Sequence, residues 1–290
     1  VKPAPFVHHG PRTLDEAVAV LGEVGHDGKV LAGGQSLIPV LNMRLAQPAH
    51  LVDINRVAGL DTVTVTDSHV RVGATVRHAE LEKHDEAYAV LPLLRQALLC
   101  VAHPAIRNRG TTVGSIAHAD AAGEMPSVLV LTQGVIEVVG PRGRREVAAL
   151  EFFEGPLQTV LEADELVEAV RFARFAPGTR TAFLESARRS GDYAVAGVGV
   201  AVDVSTDSGE AVVTGARAAY VSVTDIPVVV DLTDAVAGQP VSSVWDGVDE
   251  LVQAGIAPEA DIHASSEYRR MLAAELTRRA LTRATTEGTA

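Results

Sequence analysis

The chain has 290 residues, 47% hydrophobic and 21% charged, the composition of a globular protein with room for two domains. Its formal net charge of -12 argues against nonspecific binding to nucleic acid or to an anionic membrane surface. No apolar run reaches the roughly 20 residues of a membrane span, no signal-peptide core is visible, and a single cysteine excludes both an intrachain disulfide and a four-thiolate iron–sulfur cluster, so a cytoplasmic chain without membrane insertion is expected.

His8-His9, shortly before Pro11, reads as an exposed loop. Thr13 and Glu16 make a capping-box pair, and Leu14, Ala17, Val18 and Leu21 follow at helical spacing, which predicts a helix over 13–24. The run Lys29-Val30-Leu31-Ala32 reads as a buried strand and leads into Ala32-Gly33-Gly34-Gln35-Ser36. Residues without a Cβ let backbone N–H groups converge on one point, and converging N–H dipoles hold an anion. A short helix with Pro39 in its first turn and a strand over 50–54 complete a βαβ-like lobe.

A hairpin is predicted from 61–66 and 69–73 about Asp67-Ser68, then helices over 77–85 and 90–101. Cys100, among Leu98, Leu99 and Val101, reads as a small buried apolar side chain. A second glycine-centred segment, Thr111-Thr112-Val113-Gly114-Ser115, precedes a helix over 124–131. Strands over 135–139 and 144–147 flank the turn Gly140-Pro141-Arg142-Gly143, and a strand near 165–172 ends the first half. Ala176-Pro177-Gly178 is the linker candidate. Beyond it, strand-like stretches near 180–188, 193–205 and 211–223, separated by polar turns such as 203–209, predict an antiparallel sheet. Helices over 244–254 and 265–283 end the chain, and the order of elements argues for α+β in both halves.

Neither glycine segment is GxGxxG or GxxxxGK[ST], and each alone fits an ordinary turn as well as an anion site. The histidines make no metal-spaced cluster, and no GxSxG, Cys–His pair or carboxylate pair supports hydrolysis. No catalytic and no metal-binding residue is therefore assigned, and any chemistry must come from a cofactor.

Two longer blocks carry a family resemblance: Lys29 to Pro39 continuing through Ala46 to Asn55, and Pro104-Ala105-Ile106-Arg107-Asn108-Arg109-Gly110-Thr111-Thr112-Val113-Gly114-Ser115-Ile116-Ala117-His118-Ala119-Asp120. In order and spacing the chain resembles the FAD-binding medium subunit of the molybdenum hydroxylases, the xanthine dehydrogenase and carbon monoxide dehydrogenase family, from Lys2 to about Thr282. The resemblance implies an α+β fold: a two-lobed, PCMH/VAO-type FAD-binding domain over 1–176, with lobes of about 1–57 and 58–176. A smaller C-terminal domain over 177–290 would hold a three-stranded antiparallel sheet plus helices.

It also implies roles for residues. Ala32, Gly33, Gly34, Gln35 and Ser36, with Leu37, would face the FAD pyrophosphate, and Thr111, Thr112, Val113, Gly114 and Ser115 would enclose its other side. Asp120 and Glu124 would offer carboxylates to ribose hydroxyls, although Glu124 departs from the family's Asp and fits a solvated helix-start carboxylate equally well. Val101 and Ala102 would lie against one face of the isoalloxazine ring, or simply pack in the core. Tyr193 would lie by the other face, the alternative being a core tyrosine. A lysine frequent in the family after the linker is replaced here by the stretch Leu184 to Arg189, where Arg188 and Arg189 are the available cations and a surface role suits either.

By resemblance the chain passes electrons from partner [2Fe-2S] clusters through FAD to a final acceptor. NAD, a quinone, a soluble carrier and oxygen all remain open as that acceptor. A large subunit would carry the molybdopterin and a small one the [2Fe-2S] clusters, in a dimer of heterotrimers. The alternatives are a self-contained flavin-dependent oxidoreductase on the same fold and a scaffold that has lost its flavin.

Overall fold

The computed structural model describes residues 2–206 and 210–286; of the predicted turn over 203–209, residues 207–209 lie outside the described residues. The chain opens with strand β1 (Val7–His9), helix α1 (Leu14–Val24), strand β2 (Gly28–Leu31), helix α2 (Leu37–Asn42) and strand β3 (His50–Asp53). The three strands form a parallel sheet in the order β1-β3-β2. His8-His9 therefore belongs to a strand rather than a loop: His9 bonds His50 (2.9 Å) and His8 bonds Asp53 (3.3 Å), partners on β3 that only the sheet brings near. The predicted capping box at α1 is present, with the Thr13 hydroxyl accepting from the Glu16 N–H and the Glu16 carboxylate accepting from the Thr13 N–H.

A second, antiparallel sheet takes strands β4 (Val63–Val65), β5 (His69–Gly73), β6 (Val135–Gly140), β7 (Gly143–Ala148) and, beyond the small pair β8 (Phe153–Gly155) and β9 (Gln158–Thr159), strand β10 (Leu166–Ala173). Its order is β4-β5-β10-β6-β7, so β10 closes the sheet between the two predicted hairpins. Between β5 and β6 run α3 (His78–Glu82), α4 (Asp85–Val90), α5 (Pro92–Leu98), α6 (Pro104–Arg107), α7 (Thr112–His118) and α8 (Glu124–Leu131), and α9 (Ala149–Phe152) follows β7. The helix predicted over 90–101 is shorter and begins at Pro92, with Leu91 outside the helical region (φ -145°, ψ 75°), because a residue before proline is pushed out of it.

Ala176 to Thr179 is a tight turn closed by the Thr179 N–H on the Ala176 carbonyl (3.1 Å), with Gly178 at φ +89°. After it, β11 (Arg180–Ala187), β12 (Ala194–Ser205), β13 (Val212–Val221) and β14 (Val229–Asp231) pair antiparallel in sequence order. The sheet thus has four strands, not three; β14 is too short to show a periodicity of its own and is held by the longer β13. Helices α10 (Thr233–Val236), α11 (Val248–Gly255) and α12 (Ser266–Thr286) complete the chain.

Strand β12 is buried along nearly its whole length because this sheet is covered on both faces. Val198, Val200 and Val202 point into a core shared with α11 and α12. Ala201 on the opposite face belongs to the core of the first half, and an added Cβ at Gly199 would meet Phe183 and Leu131 within 3.4 Å. Small residues on that face let the sheet lie close against α8. On the other side the buried Arg269 of α12 donates to the Val195 and Ser222 carbonyls (2.6 and 2.9 Å), tying the helix to two strand ends.

Candidate functional site

The two glycine segments, 78 positions apart from Gly33 to Thr111, touch. A Cβ on Gly33 would lie 2.4 Å from the Arg109 carbonyl oxygen, 2.7 Å from the Gly110 Cα and 3.0 Å from the Thr111 nitrogen. No side chain fits there. A Cβ on Gly114 would lie 2.4 Å from the Thr111 hydroxyl, which accepts from the Gly114 N–H (3.1 Å) as the N-cap of α7, and 3.9 Å from the Ala32 Cβ. Gly34 sits at φ +73°, and the Gln35 amide donates to the Gly33 carbonyl (3.1 Å), so this loop is stiffened from within. Ser36 takes the N-cap position of α2 without a side-chain capping bond, and Ala32 to Leu37 are all half-buried.

In the second segment the side chains divide. Thr112 and Val113 are buried, the Thr112 hydroxyl lying 3.2 Å from His78 Nδ1, so their side chains belong to the packing beneath the loop. Gly114 and Ser115 remain half-exposed. Burial, with Arg107 nearby, pushes His78 down to about 4, which keeps its ring neutral at pH 7.

A polar chain absent from the sequence-based assignments joins the segments. The Asn55 amide donates to the Ala32 carbonyl (2.8 Å); the Arg77 guanidinium donates to the Asn55 side-chain oxygen (2.6 Å) and to the Arg109 carbonyl (2.6 Å). Asp53 orients Asn55 by accepting from its backbone N–H (3.0 Å) and its amide (2.6 Å). Burial opposes the Asp53 charge, but the bonds from Asn55 and His8 hold its pKa below the ordinary value. Asn55 follows a strand and Arg77 precedes a short helix, and nothing local in either stretch marks them as partners.

A second region lies where the two halves of the chain meet. Leu99, Cys100 and Ala102 from the first half and Glu185, Ala187, Arg189, Ser190 and Gly191 from the second line a cavity of about 240 Å³. Ala102 faces it from a left-handed backbone, φ +42°, while Val101 is in the core; Arg107 donates to both of their carbonyls (3.3 and 3.0 Å). Gly191, at φ +84°, packs against the His103 ring, which a Cβ would strike at 2.2 Å, and so brings the 189–193 loop onto the 101–103 turn. Tyr193 at the end of that loop is 70% exposed, which overturns the reading as a core tyrosine. Arg189 stands at the cavity's edge; Arg188 is exposed and does not line it.

The carboxyls here are desolvated. Glu124 begins α8, half-buried, and burial followed by the charges of Glu185 and Asp120 pushes it up to about 8, so it is not a solvated helix-start carboxylate. Burial pushes Glu185 up to about 7, and its Oε2 is buried without a hydrogen-bond partner. The Cys100 thiol, half-buried, is pushed up to about 12 by burial and then by Glu185 and Glu124, which makes it an inert side chain. Asp120 is engaged locally, its carboxylate accepting from the Ala122 N–H (2.9 Å). Among the described residues no group of three or more His, Cys, Asp or Glu is placed to hold a metal ion.

Residues 4–174 match the family model described as the FAD binding domain in molybdopterin dehydrogenase, and residues 181–284 match the CO dehydrogenase flavoprotein C-terminal domain. The nicotine 6-hydroxylase medium subunit of Paenarthrobacter nicotinovorans is 38% identical over 94% of this chain and 95% of its own. The carbon monoxide dehydrogenase of Hydrogenophaga pseudoflava, solved without the Mo-pyranopterin moiety of its cofactor, contains a chain that superposes with a TM-score of 0.90 at 34% identity, covering 98% of both chains. Quinoline 2-oxidoreductase from Pseudomonas putida 86 gives a TM-score of 0.91 at 32% identity over 99% of each chain.

Proposed function

The chain belongs to the FAD-binding medium-subunit family of the molybdenum hydroxylases, and from that premise we propose that it holds FAD and relays electrons within a multi-subunit oxidoreductase. One observation carries the reading: the glycine segments meet at a seam from which a Cβ is excluded, leaving backbone amides to face an anion. The FAD diphosphate is assigned to that seam, between Ala32 to Leu37 and Thr111 to Ser115, with Gly114 and Ser115 as its half-exposed wall. The ring is assigned to the cavity between the halves, against Ala102 and beside Tyr193, with Asp120 and Glu124 as the ribose neighbours.

Bound FAD supplies reversible electron storage. The chain's own residues bind the diphosphate, fix the ring and exclude water from the cavity between the halves. We take 1–176, in lobes of about 1–57 and 58–176, as the FAD-binding domain and 177–290 as the C-terminal domain. The matched ranges and the turn at 176–179 support that division.

Electrons arrive, in this proposal, from [2Fe-2S] clusters in a small subunit fed by a large molybdopterin subunit, the whole being a dimer of heterotrimers. The lone Cys100 supports placing every cluster in a partner. No described helix is long and apolar enough to cross a membrane, and a cytoplasmic location is part of the proposal.

Purification from the native host with metal analysis tests the reading. Molybdenum and iron should co-elute with the chain, and the protein should absorb at about 450 nm as oxidised flavin does. A chain that purifies alone and reduces its flavin with an organic substrate would instead be a self-contained oxidoreductase. A colourless protein after reconstitution with FAD would leave only the scaffold.

A further inference from the structure

Arg71, Arg107, Arg145 and Arg269 each lie within ion-pair distance of a carboxylate, as arginines of an acidic protein are expected to. Arg77, like Arg180 and Arg270 in the C-terminal half, is held by neutral acceptors instead. Two of its N–H directions go to the Arg109 carbonyl and the Asn55 side-chain oxygen, both neutral acceptors, and among the described residues no carboxylate stands within ion-pair distance of it. The acids nearest in charge, Glu80 and Asp53, are already engaged: Glu80 accepts from the Arg77 backbone N–H (2.9 Å), and Asp53 accepts from Asn55 and bonds His8.

The neighbouring charge with the largest effect is a like one, with Glu80 and Asp53 acting more weakly in the opposite sense. Partial burial and then the Arg109 guanidinium hold Arg77 below its ordinary pKa. A half-buried cation beside a second cation costs stability unless an anion joins them. Its position shows where that anion would sit. The Arg109 carbonyl that Arg77 grips is the atom a Gly33 Cβ would strike, and Asn55 connects the same guanidinium to the Ala32 carbonyl.

We propose that Arg77 is the cation of the diphosphate cradle: it holds the two glycine segments in register through Asn55 and the Arg109 carbonyl, and its charge, in direct contact with no carboxylate, attracts the diphosphate bridge of the dinucleotide. The inference rests on the assignment of the diphosphate to the glycine seam. A planar guanidinium suits both tasks, because its fork reaches two fixed acceptors at once and leaves further N–H directions for phosphate oxygens. A lysine would keep the charge and lose the bridge.

The test takes the full chain with its native subunits, strips the flavin, and measures binding of FAD, of ADP, which has the diphosphate without the ring, and of riboflavin, which has the ring without the diphosphate. Arg77→Met should weaken FAD and ADP by roughly tenfold to a hundredfold and leave riboflavin unchanged. Arg77→Lys should recover part of the loss at low ionic strength and less of it at high salt, where the charge is screened. Asn55→Ala should weaken FAD and ADP without altering their salt dependence, and with Arg77→Lys it carries the comparison if Arg77→Met does not fold. Unchanged FAD and ADP affinities would overturn the proposal, and so would a parallel loss of riboflavin, which would mean a general structural role. A wild-type protein that binds none of the three would overturn the flavin reading itself.

Discussion

The glycine seam and the cavity between the halves are made of different materials. The seam is backbone against backbone: Gly33 lies on Arg109 and Gly110, Gly114 lies on its own N-cap, and one polar chain from Ala32 to Arg109 holds the two loops at fixed distance. The cavity is lined by side chains from both halves, including the Glu185 carboxyl, which burial holds away from water. A seam of that kind has one workable geometry, so a substitution there either fits or destroys it. A cavity lined by side chains can be changed by degrees, which suits the part of a cofactor site where chemistry is tuned.

The largest expected effect sharpens that contrast. Gly33→Val and Gly114→Val should each abolish FAD binding, since a branched side chain has no space against the Arg109 carbonyl or the Thr111 hydroxyl; flavin content after reconstitution measures it. Undiminished flavin in both variants would mean that the diphosphate lies elsewhere. In the cavity, Gly191→Ala should be graded: the new Cβ meets His103 and the φ of +84° is strained, so the 189–193 loop moves and FAD weakens by about tenfold while ADP binds as before. Equal losses for FAD and ADP would join the two regions into one.

Next in size is a pH effect that belongs to the half-buried start of α8, beside the cavity. Glu124 ionises near its ordinary 4.5 when unfolded and near 8 when folded, so between those values the folded state binds more protons and stability falls as pH rises. Glu124→Gln should remove a fall on the order of 2 kcal/mol between pH 6.5 and 8, read as the difference from wild type in denaturant unfolding of the flavin-free protein. The comparison is cleanest above pH 6.5, because His78, held down at about 4, gives an opposite slope between 4 and 6.5. The smallest effect belongs to the seam. Ser36→Ala should weaken FAD about fivefold, as for one neutral hydrogen bond, and leave unfolding of the flavin-free protein unchanged, because no capping bond is lost.

Legibility in the sequence followed the same division. The α1 capping box, the hairpin turns and the turn at Pro177-Gly178 were readable because each is a local rule enforced within a few residues. Strand β1 escaped notice because His8-His9 has no strand pattern of its own and exists as one only against β3. Strand β14 depends in the same way on β13. Glu124 and Tyr193 show a related limit. A carboxylate at a helix start is ordinarily solvated and an aromatic ordinarily buried, yet the meeting of the two halves desolvates the first and leaves the second exposed.

The sequence by itself determined most of the longer elements, the family and the two glycine segments, since propensity, capping and motif spacing are written in neighbouring residues. Only the tertiary structure decided that Gly33 abuts Arg109, that Asn55 and Arg77 join the loops, and that Thr112 and Val113 turn inward while Gly114 and Ser115 stay accessible. The physical reason is that burial and hydrogen-bond partnership are properties of a neighbourhood, and here the neighbours come from strands and loops separated by tens of residues that meet only when the sheets close.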